Sequence, residues 1–192
     1  MAFLKKEIYE WLVAIAIALV LLFVIHQFLF LTYSVKGDSM YPTLKDGEKV
    51  IVSRINYTLG NIDDGDVIVF HADKKSDYVK RVIGRAGDTV SYKGDTLYVN
   101  DKEVKEPYLD ENKLAKTNVL LTENFSVEDL VNSGGKAKIP DGQLLVLGDN
   151  REVSKDSRYF GLIKEEQVVG EVVLRFWPFN VFHYDFDPAT EK

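Results

Sequence analysis

The segment GDVIVF (65–70) is followed by DYVKRVIG (77–84), and these two short runs decide the fold. Both are rich in β-branched residues, and the polar stretch HADKKS (71–76) separates them. Runs of four to eight such residues between turn residues are typical of β-strands. The pair therefore predicts two strands of a β domain.

Further runs of the same kind extend this prediction in both directions along the chain. They are EKVIVSRI (48–55), DTVSY (88–92), TLYVN (96–100), QLLVLGD (143–149) and VVGEVVLRF (168–176). Lys93-Gly94-Asp95, between two of these runs, predicts a hairpin turn. Short strands at close spacing indicate a mostly β fold of the barrel or sandwich type.

Residues 105–140 differ from these strand-rich segments, because they are polar and only weakly periodic. Ser126-Val-Glu-Asp129 within them predicts the start of one short helix. We interpret 105–140 as a small, variable α/β excursion from the β core and not as a separate domain. Residues 185–192 are predicted to be a frayed tail.

A long apolar run, WLVAIAIALVLLFVIHQFLFL (11–31), precedes the strands and is interrupted only by His26 and Gln27. As a helix it would span about 31 Å, close to the thickness of a bilayer core. A cleavable signal peptide would have a shorter apolar core and a small-x-small site at its end, which this run lacks. The sequence thus predicts an N-terminal segment at 1–7, a transmembrane anchor at 8–31 and a folded domain at 32–192.

Lysines set the predicted orientation of this anchor. Lys5 and Lys6 precede it, and the positive-inside rule counts Lys and Arg, so the N-terminus is expected to be cytoplasmic. Lys36, beyond the helix, acts against this orientation. The prediction is a single-pass protein of the cell membrane whose domain at 32–192 is extracytoplasmic.

The amino-acid composition limits the partners and the kinds of catalytic site that the chain can have. The chain has 192 residues and a net charge of −6, from 24 basic and 30 acidic side chains, which argues against a nucleic-acid partner. The absence of cysteine excludes disulfides, a thiolate nucleophile and cysteine metal sites. The three histidines form no HExxH pair, and there is no GxSxG elbow. A Ser-His-Asp triad is possible in principle, but no histidine has a suggestive setting, and no residue pattern indicates a cofactor.

Three segments carry the remaining candidate chemistry: GDSMYPTL (37–44), YVKRVIG (78–84) and GDNREVSKDSRYFG (148–161). Taken singly, each has a structural interpretation. The first segment is a Gly/Pro turn, the second contains an edge-strand lysine that blocks aggregation, and the third is a solvated loop. On a strand, however, Lys80 shares a face with Tyr78 and Val82. Burial there would lower the pKa of Lys80 and make it a usable base.

Together, and in this order, the three segments resemble the motifs of the bacterial type I signal peptidases. GDVIVF and the N-terminal anchor match the family as well, and the single-helix layout resembles its Gram-positive form. The resemblance implies a membrane-bound serine endopeptidase on a mostly β fold. Ser39 would be the nucleophile and Lys80 the general base, and signal peptides would be removed from exported preproteins after a small-x-small site such as A-x-A.

The resemblance also implies supporting roles. The Ser39 backbone N–H would stabilise the oxyanion, and Ser154 matches a serine that hydrogen-bonds the lysine. A polar and ionic network would comprise Asp149, Asp156, Arg158 and Arg81. Gly37 stands where some members have a serine whose hydroxyl joins the oxyanion hole, so a backbone group or water is expected to replace it.

Preproteins and the lipid bilayer are the implied partners, with the secretion translocon nearby. Pocket residues follow from strand position alone, which suggests Ile51, Val67 and Val82. Arg175-Phe176-Trp177-Pro178-Phe179 has two interpretations, an aromatic contact with the membrane interface or a strand end that closes the core.

Two other functions are compatible with parts of the sequence. A self-cleaving repressor-type peptidase has a similar Ser–Lys β fold, but it would carry a DNA-binding helical domain where this chain has an apolar helix. A membrane-anchored β domain that only binds partners would use Ser39 and Lys80 as ordinary turn and strand residues. Loss of Lys80 would then leave function intact.

Overall fold

The computed structural model describes the backbone of residues 2–55, 62–184 and 186, with the side chains of 2–5, 21 and 24–28 outside the description. Its helices are α1 (Ala2–Phe28), α2 (Asp110–Ala115) and α3 (Ser157–Phe160). Short 3₁₀ turns cover Pro107–Leu109, Val127–Asp129, Glu165–Gln167 and Phe179–Val181. The strands are β1 (Phe30–Ser34), β2 (Lys49–Ser53), β3 (Val67–His71), β4 (Asp77–Gly84), β5 (Val90–Lys93), β6 (Thr96–Val99), β7 (Lys102–Val104), β8 (Phe125–Ser126), β9 (Gln143–Leu147), β10 (Ile163–Lys164) and β11 (Val168–Trp177).

The strands form two antiparallel sheets. The larger has the order β1-β2-β11-β3-β4-β9-β10, and the smaller has the order β7-β6-β5-β8. The prediction of a mostly β fold is confirmed, and each predicted run contains a strand. The Lys93–Asp95 hairpin is also confirmed, because Lys93 pairs with Thr96 across it.

The predicted excursion differs in one respect from the structure. The departure from the main sheet begins earlier, at Val90, because β5, β6 and β7 already belong to the smaller sheet. The segment 105–140 then adds β8 to that sheet, through pairing of Phe125 with Tyr92. The predicted helix start at Ser126 is a 3₁₀ turn whose cap is confirmed, since the Ser126 N–H and hydroxyl both donate to Asp129.

Helix α1 corrects the boundaries of the predicted anchor. It begins at Ala2, within the predicted segment 1–7, and ends at Phe28 instead of Leu31. Phe30 and Leu31 belong to β1, because their backbones pair with Ser53 and Val52, and Leu31 packs against the apolar core. Among the described residues, no helix combines the length and the apolar character that crossing a membrane requires. The membrane-spanning role of 8–31 therefore stays a prediction.

Two apolar clusters hold the site in place. One packs Met40, from the turn after β1, against Val50, Val67 and Val172 of the large sheet. The other joins β4 and β9 to the smaller sheet through Ile83, Leu147 and Tyr92. The predicted frayed tail needs a correction at Phe186, which is buried in the first cluster because its ring finds apolar neighbours there. The other residues from 185 to 192 lie outside the described part of the chain.

Candidate active site

Ser39 lies in the turn that follows β1, which we call the Ser39 turn (residues 37–44). Met40 and Leu44, on either side of the turn's proline, are fully buried against Val35 and Val50. The Leu44 N–H donates to the Met40 carbonyl at 2.9 Å. The expectation that these two apolar residues pack is confirmed, and their burial fixes one end of the turn while Ser39 stays half-exposed.

Lys80 lies in β4, which is paired on both sides, with β3 and with β9. The edge-strand interpretation of this lysine is therefore wrong, and its residue is only 3% exposed. Its Nζ is 2.8 Å from Ser39 Oγ and 2.9 Å from the Val79 carbonyl. The fold thus brings together two side chains that are 41 positions apart in the sequence.

The charge state of Lys80 follows from this burial. Burial lowers the pKa of Lys80 from its ordinary 10.5 to about 8, and the charges of Asp156 and Asp149 oppose this effect without cancelling it. At this pKa about a tenth of the molecules carry a neutral lysine at pH 7, compared with about one in a few thousand for a free lysine. The neutral amine can accept the proton of Ser39.

The predicted ionic network consists of two clusters beside the dyad. In the first, Arg81 donates from Nε and Nη2 to Asp149 at 3.0 and 2.8 Å, and both side chains are buried. Burial lowers the pKa of Arg81, but the charge of Asp149, its hydrogen bonds and the neighbouring Tyr108 together outweigh burial, so the net shift of the pKa is upward. Thr43 also donates its hydroxyl proton to Asp149. This cluster therefore connects β4 with the Ser39 turn.

The second cluster organises the loop after β9. Arg158 donates from Nε and Nη2 to the two carboxylate oxygens of Asp156 at 2.9 and 2.8 Å. Asp156 also caps α3 and accepts from the Gly148 N–H at 3.0 Å. The four residues Arg81, Asp149, Asp156 and Arg158 thus form ion pairs beside the dyad, and their supporting roles stay predictions.

Ser154 requires a correction. The resemblance implies a hydrogen bond from Ser154 to Lys80, but Ser154 Oγ is buried without a hydrogen-bond partner among the described residues. Ser154 Oγ lies instead against Gly148, where an added Cβ would collide with both Ser154 Oγ and the Ser39 carbonyl oxygen. Gly148 therefore permits the close approach of this loop to the Ser39 turn.

Candidate oxyanion donors lie at the same turn. Among the hydrogen bonds of the described residues, none uses the Ser39 N–H as a donor. The Gly37 N–H, in contrast, donates to Asp46 at 2.7 Å, and Gly37 has a positive φ of 76°. Gly37 thus shapes the turn, but its N–H already donates to Asp46 and is not free to donate to an oxyanion.

Sequence reasoning missed several residues that hold the site. Asn150 donates its backbone N–H to the Ser39 carbonyl and its side-chain amide to the Asp38 carbonyl, both at 3.0 Å. The buried guanidinium of Arg151 pairs with Glu106 at 2.7 Å and donates to the Gly148 carbonyl at 2.9 Å. Asn150 and Arg151 directly follow Asp149 in a loop dense in polar side chains, and that density is the sequence signal that could have identified them. Nothing in the sequence marks Glu106.

A groove of about 890 Å³ opens beside Ser39 and Lys80. One wall is formed by residues 32–38 and the other by residues 75–79, with Tyr33 donating to Asp77 between them at 3.0 Å. Val35, Met40 and Val79 supply its apolar lining. The predicted pocket residues Ile51, Val67 and Val82 do not line it, because Val67 and Val82 lie inside the core and Ile51 is on β2.

The aromatic end of β11 remains largely outside the core. Trp177 is 43% and Phe179 is 74% exposed, and their rings contact each other with centroids 5.0 Å apart. Exposure excludes a core-closing role for Phe179. Arg175, in contrast, ties this strand end to the site, since it donates to the Thr43 carbonyl at 2.7 Å.

Comparison with known proteins gives consistent similarities. The family described as signal peptidase, peptidase S26, matches residues 8–177. A signal peptidase IB of Staphylococcus aureus (strain MRSA252) is 55% identical over 190 residues, which cover 98% of this chain and 100% of the relative. A signal peptidase I of Bacillus caldolyticus is 47% identical over 93% of this chain and 94% of its own.

One solved structure supports the same relationship. The crystal structure of a signal peptidase I from Enterococcus faecalis V583 aligns with a TM-score of 0.54 at 38% sequence identity. The alignment covers 58% of this chain and 96% of that one. The similarity therefore concerns the fold as well as the sequence.

Proposed function

The chain belongs to the S26 signal peptidase family and is a serine peptidase of the type I signal peptidase class, and on this premise we propose its specific reaction. It removes N-terminal signal peptides from exported preproteins after a small-x-small site, with Ser39 as nucleophile and Lys80 as general base. The observation that carries the assignment is the 2.8 Å contact between Ser39 Oγ and a buried Lys80 Nζ. Membership of a peptidase family leaves no support for a binding domain without catalysis.

The proposed mechanism uses Lys80 twice. Neutral Lys80 takes the proton of Ser39, and Oγ attacks the scissile carbonyl carbon to form a tetrahedral intermediate. The carbon–nitrogen bond then breaks, and Lys80 gives the proton to the leaving amine. Lys80 next deprotonates a water molecule, whose oxygen attacks the acyl carbon. The ester bond to Ser39 Oγ then breaks, and the Lys80 ammonium returns the proton to Oγ. The Ser39 N–H is the proposed donor to the oxyanion in both steps.

The groove supports an extended substrate. Strand β1 is paired with β2 on one side only among the described strands, so the residues that continue it along the groove can bind a peptide backbone in the manner of an added strand. Val35 and Met40 are buried beside Ser39, so they fill the floor and leave shallow room for side chains. A shallow floor favours the small residues of an A-x-A site.

Membrane attachment is the second part of the proposal. The large apolar side chains of α1 that are described between Ile8 and Phe23 are exposed, which favours a lipid environment for this helix. We propose that the part of α1 from Ile8 to Phe28 anchors the enzyme in the cell membrane, with the N-terminus cytoplasmic and the catalytic domain outside. Trp177 and Phe179 are then available to the membrane interface, and the translocon would deliver preproteins nearby.

The test of this function is cleavage by the purified full chain in detergent micelles. A preprotein with an A-x-A site should be cut, and sequencing of the new N-terminus should locate the cut after the second alanine. Leucine at that last position should lower kcat/KM by about 100-fold or more, because the shallow floor excludes it. Leucine at the middle position is the matched control and should be cut well. Equal cleavage of both leucine substrates would contradict the proposal.

The pH dependence follows from the lowered pKa of Lys80. Since only neutral Lys80 can accept the Ser39 proton, kcat/KM should rise about tenfold per pH unit from pH 6 and level off above a midpoint near 8. Initial rates in a constant-ionic-strength buffer series would measure this profile. A midpoint near 10.5, or a rate that falls between pH 6 and 8, would contradict Lys80 as the base.

A further inference from the structure

We propose that Asn112 is a positioning residue that holds the Ser39 turn at the correct distance from Lys80. Asn112 lies in helix α2, inside the excursion 105–140 and outside every motif that resembles the family. The proposal rests on the proposed function, because it concerns the geometry of the Ser39–Lys80 dyad.

The contacts of Asn112 are unusual for a residue in an excursion. It is only 7% exposed, and its Nδ2 donates to two backbone carbonyls, that of Tyr41 at 2.8 Å and that of Asp149 at 2.9 Å. One amide group thus joins the Ser39 turn to the residue that pairs with Arg81. An amide suits this position because it offers two N–H bonds from a single nitrogen.

The Ser39 turn depends on such outside donors. Asn150 holds the Asp38 and Ser39 carbonyls, and Asn112 holds the Tyr41 carbonyl. The Tyr41 hydroxyl adds a second link to α2, because it donates to Glu111. Two asparagines therefore fix three of the four carbonyl groups between residues 38 and 41, and one of the two comes from the excursion.

The two members of the dyad differ in how they are supported. Lys80 is held by strand pairing on both sides, whereas Ser39 lies in a turn. A loss of support is therefore expected to displace Ser39 and leave Lys80 in place. A misplacement of about 1 Å at a reacting group lowers the rate by about 100-fold. Asn112 does not line the groove, so substrate binding should be unaffected.

The test uses two variants of the full chain and one control. Asn112→Asp keeps the shape but replaces the NH2 group, and with it both N–H donors, with one carboxylate oxygen that repels the two carbonyls. Asn112→Ser is too short to reach both. For each, kcat should fall about 10- to 100-fold with KM within about twofold of the parent. Leu114→Ala, on the same helix and 91% exposed, should match the parent in both constants.

Circular dichroism and thermal melting show whether each variant is folded, and the kinetic constants are interpreted for folded variants. If Asn112→Asp folds and its kcat is unchanged, the positioning role is overturned. If Asn112→Asp does not fold, the same criterion is applied to Asn112→Ser. A raised KM with unchanged kcat overturns the positioning role too, since that would be a binding role. If neither Asn112 variant folds while Leu114→Ala does, Asn112 is needed for the stability of the whole fold, and the positioning role is overturned as well.

The parent and Ser39→Ala, assayed alongside, separate this proposal from the proposed function. Normal cleavage by Ser39→Ala would contradict the dyad itself. An inactive Ser39→Ala together with fully active Asn112 variants would contradict only the positioning role.

Discussion

Ser39→Ala is expected to lower kcat for preprotein cleavage by on the order of 10⁴- to 10⁶-fold, with the fold retained. Alanine removes the atom that forms the acyl-enzyme, and Ser39 Oγ makes its described hydrogen bond only with Lys80, so little structural support is lost. Lys80→Met should be equally inactive, because the thioether side chain has no group that can accept the serine proton. The measurement is the single-turnover rate with a preprotein that carries an A-x-A site.

Lys80→Met has a second expected effect, on stability. A folded-state pKa of about 8 against 10.5 means that the folded protein is destabilised by about 3 kcal/mol at pH 7. Between pH 8 and 10.5 the unfolded chain binds more protons than the folded one, so stability of the parent rises with pH across that window. The methionine variant should be more stable at pH 7 and should lack this rise. Denaturant unfolding at pH 7 and pH 10 compares the two proteins.

Controls for these variants come from residues away from the dyad. Lys74→Ala removes an exposed lysine from the turn between β3 and β4, and Ser91→Ala removes a hydroxyl from the smaller sheet. Both should cleave at the parental rate. Normal cleavage by purified Ser39→Ala or Lys80→Met, free of host enzyme, would contradict the dyad.

Arg81→Leu is expected to lower the free energy of unfolding by about 3–5 kcal/mol. The side chains of Arg81 and Asp149 are 1% and 0% exposed, so removal of the guanidinium leaves a carboxylate buried without its charge partner. Asp149→Ala should have a loss of similar size, because Arg81 is then unpaired. Urea or guanidinium unfolding, followed by circular dichroism, measures both.

The double variant Arg81→Leu/Asp149→Leu tests the physical reason for this loss. Replacing both charges with apolar groups should recover much of the stability, since no unpaired charge is left in the core. Asp63→Ala is the matched control, because Asp63 pairs with Arg85 at an exposed position and should change stability by less than about 1 kcal/mol. Equal losses for the buried and the exposed pair would contradict the role of burial.

Local sequence signals predict the turn at Ser39 and the strand at Lys80, whereas the assignment of the two residues as a dyad came from the resemblance and stays a prediction. The Gly, Asp and Pro residues around Ser39 define a turn, and the alternation in DYVKRVIG places Lys80 among apolar neighbours. The fold class followed from the same short runs. The distance between the two side chains depends on which strands pair, and β3 next to β11 joins segments about a hundred residues apart.

Other features carry no local signal. The division of strands between two sheets depends on whether β5 pairs with β8 or with β4, and both are short β-rich runs. Asn112 is one of many polar residues in its segment, and its role appears only when its amide meets the carbonyls of Tyr41 and Asp149. The end of α1 was missed because Phe30 and Leu31 are as apolar as the helix, and only pairing with β2 distinguishes them.

The junction between α1 and β1 has a geometric consequence. Only Leu29 separates the helix from the strand, and its carbonyl accepts the Arg54 N–H at 3.0 Å, so the connection is short and held. With α1 as the anchor, the domain is joined to the membrane without a flexible tether, and β1 fixes the height of Ser39 at about 3.3 Å per residue of strand. Cleavage sites would then be selected by their height above the bilayer as well as by the size of their side chains.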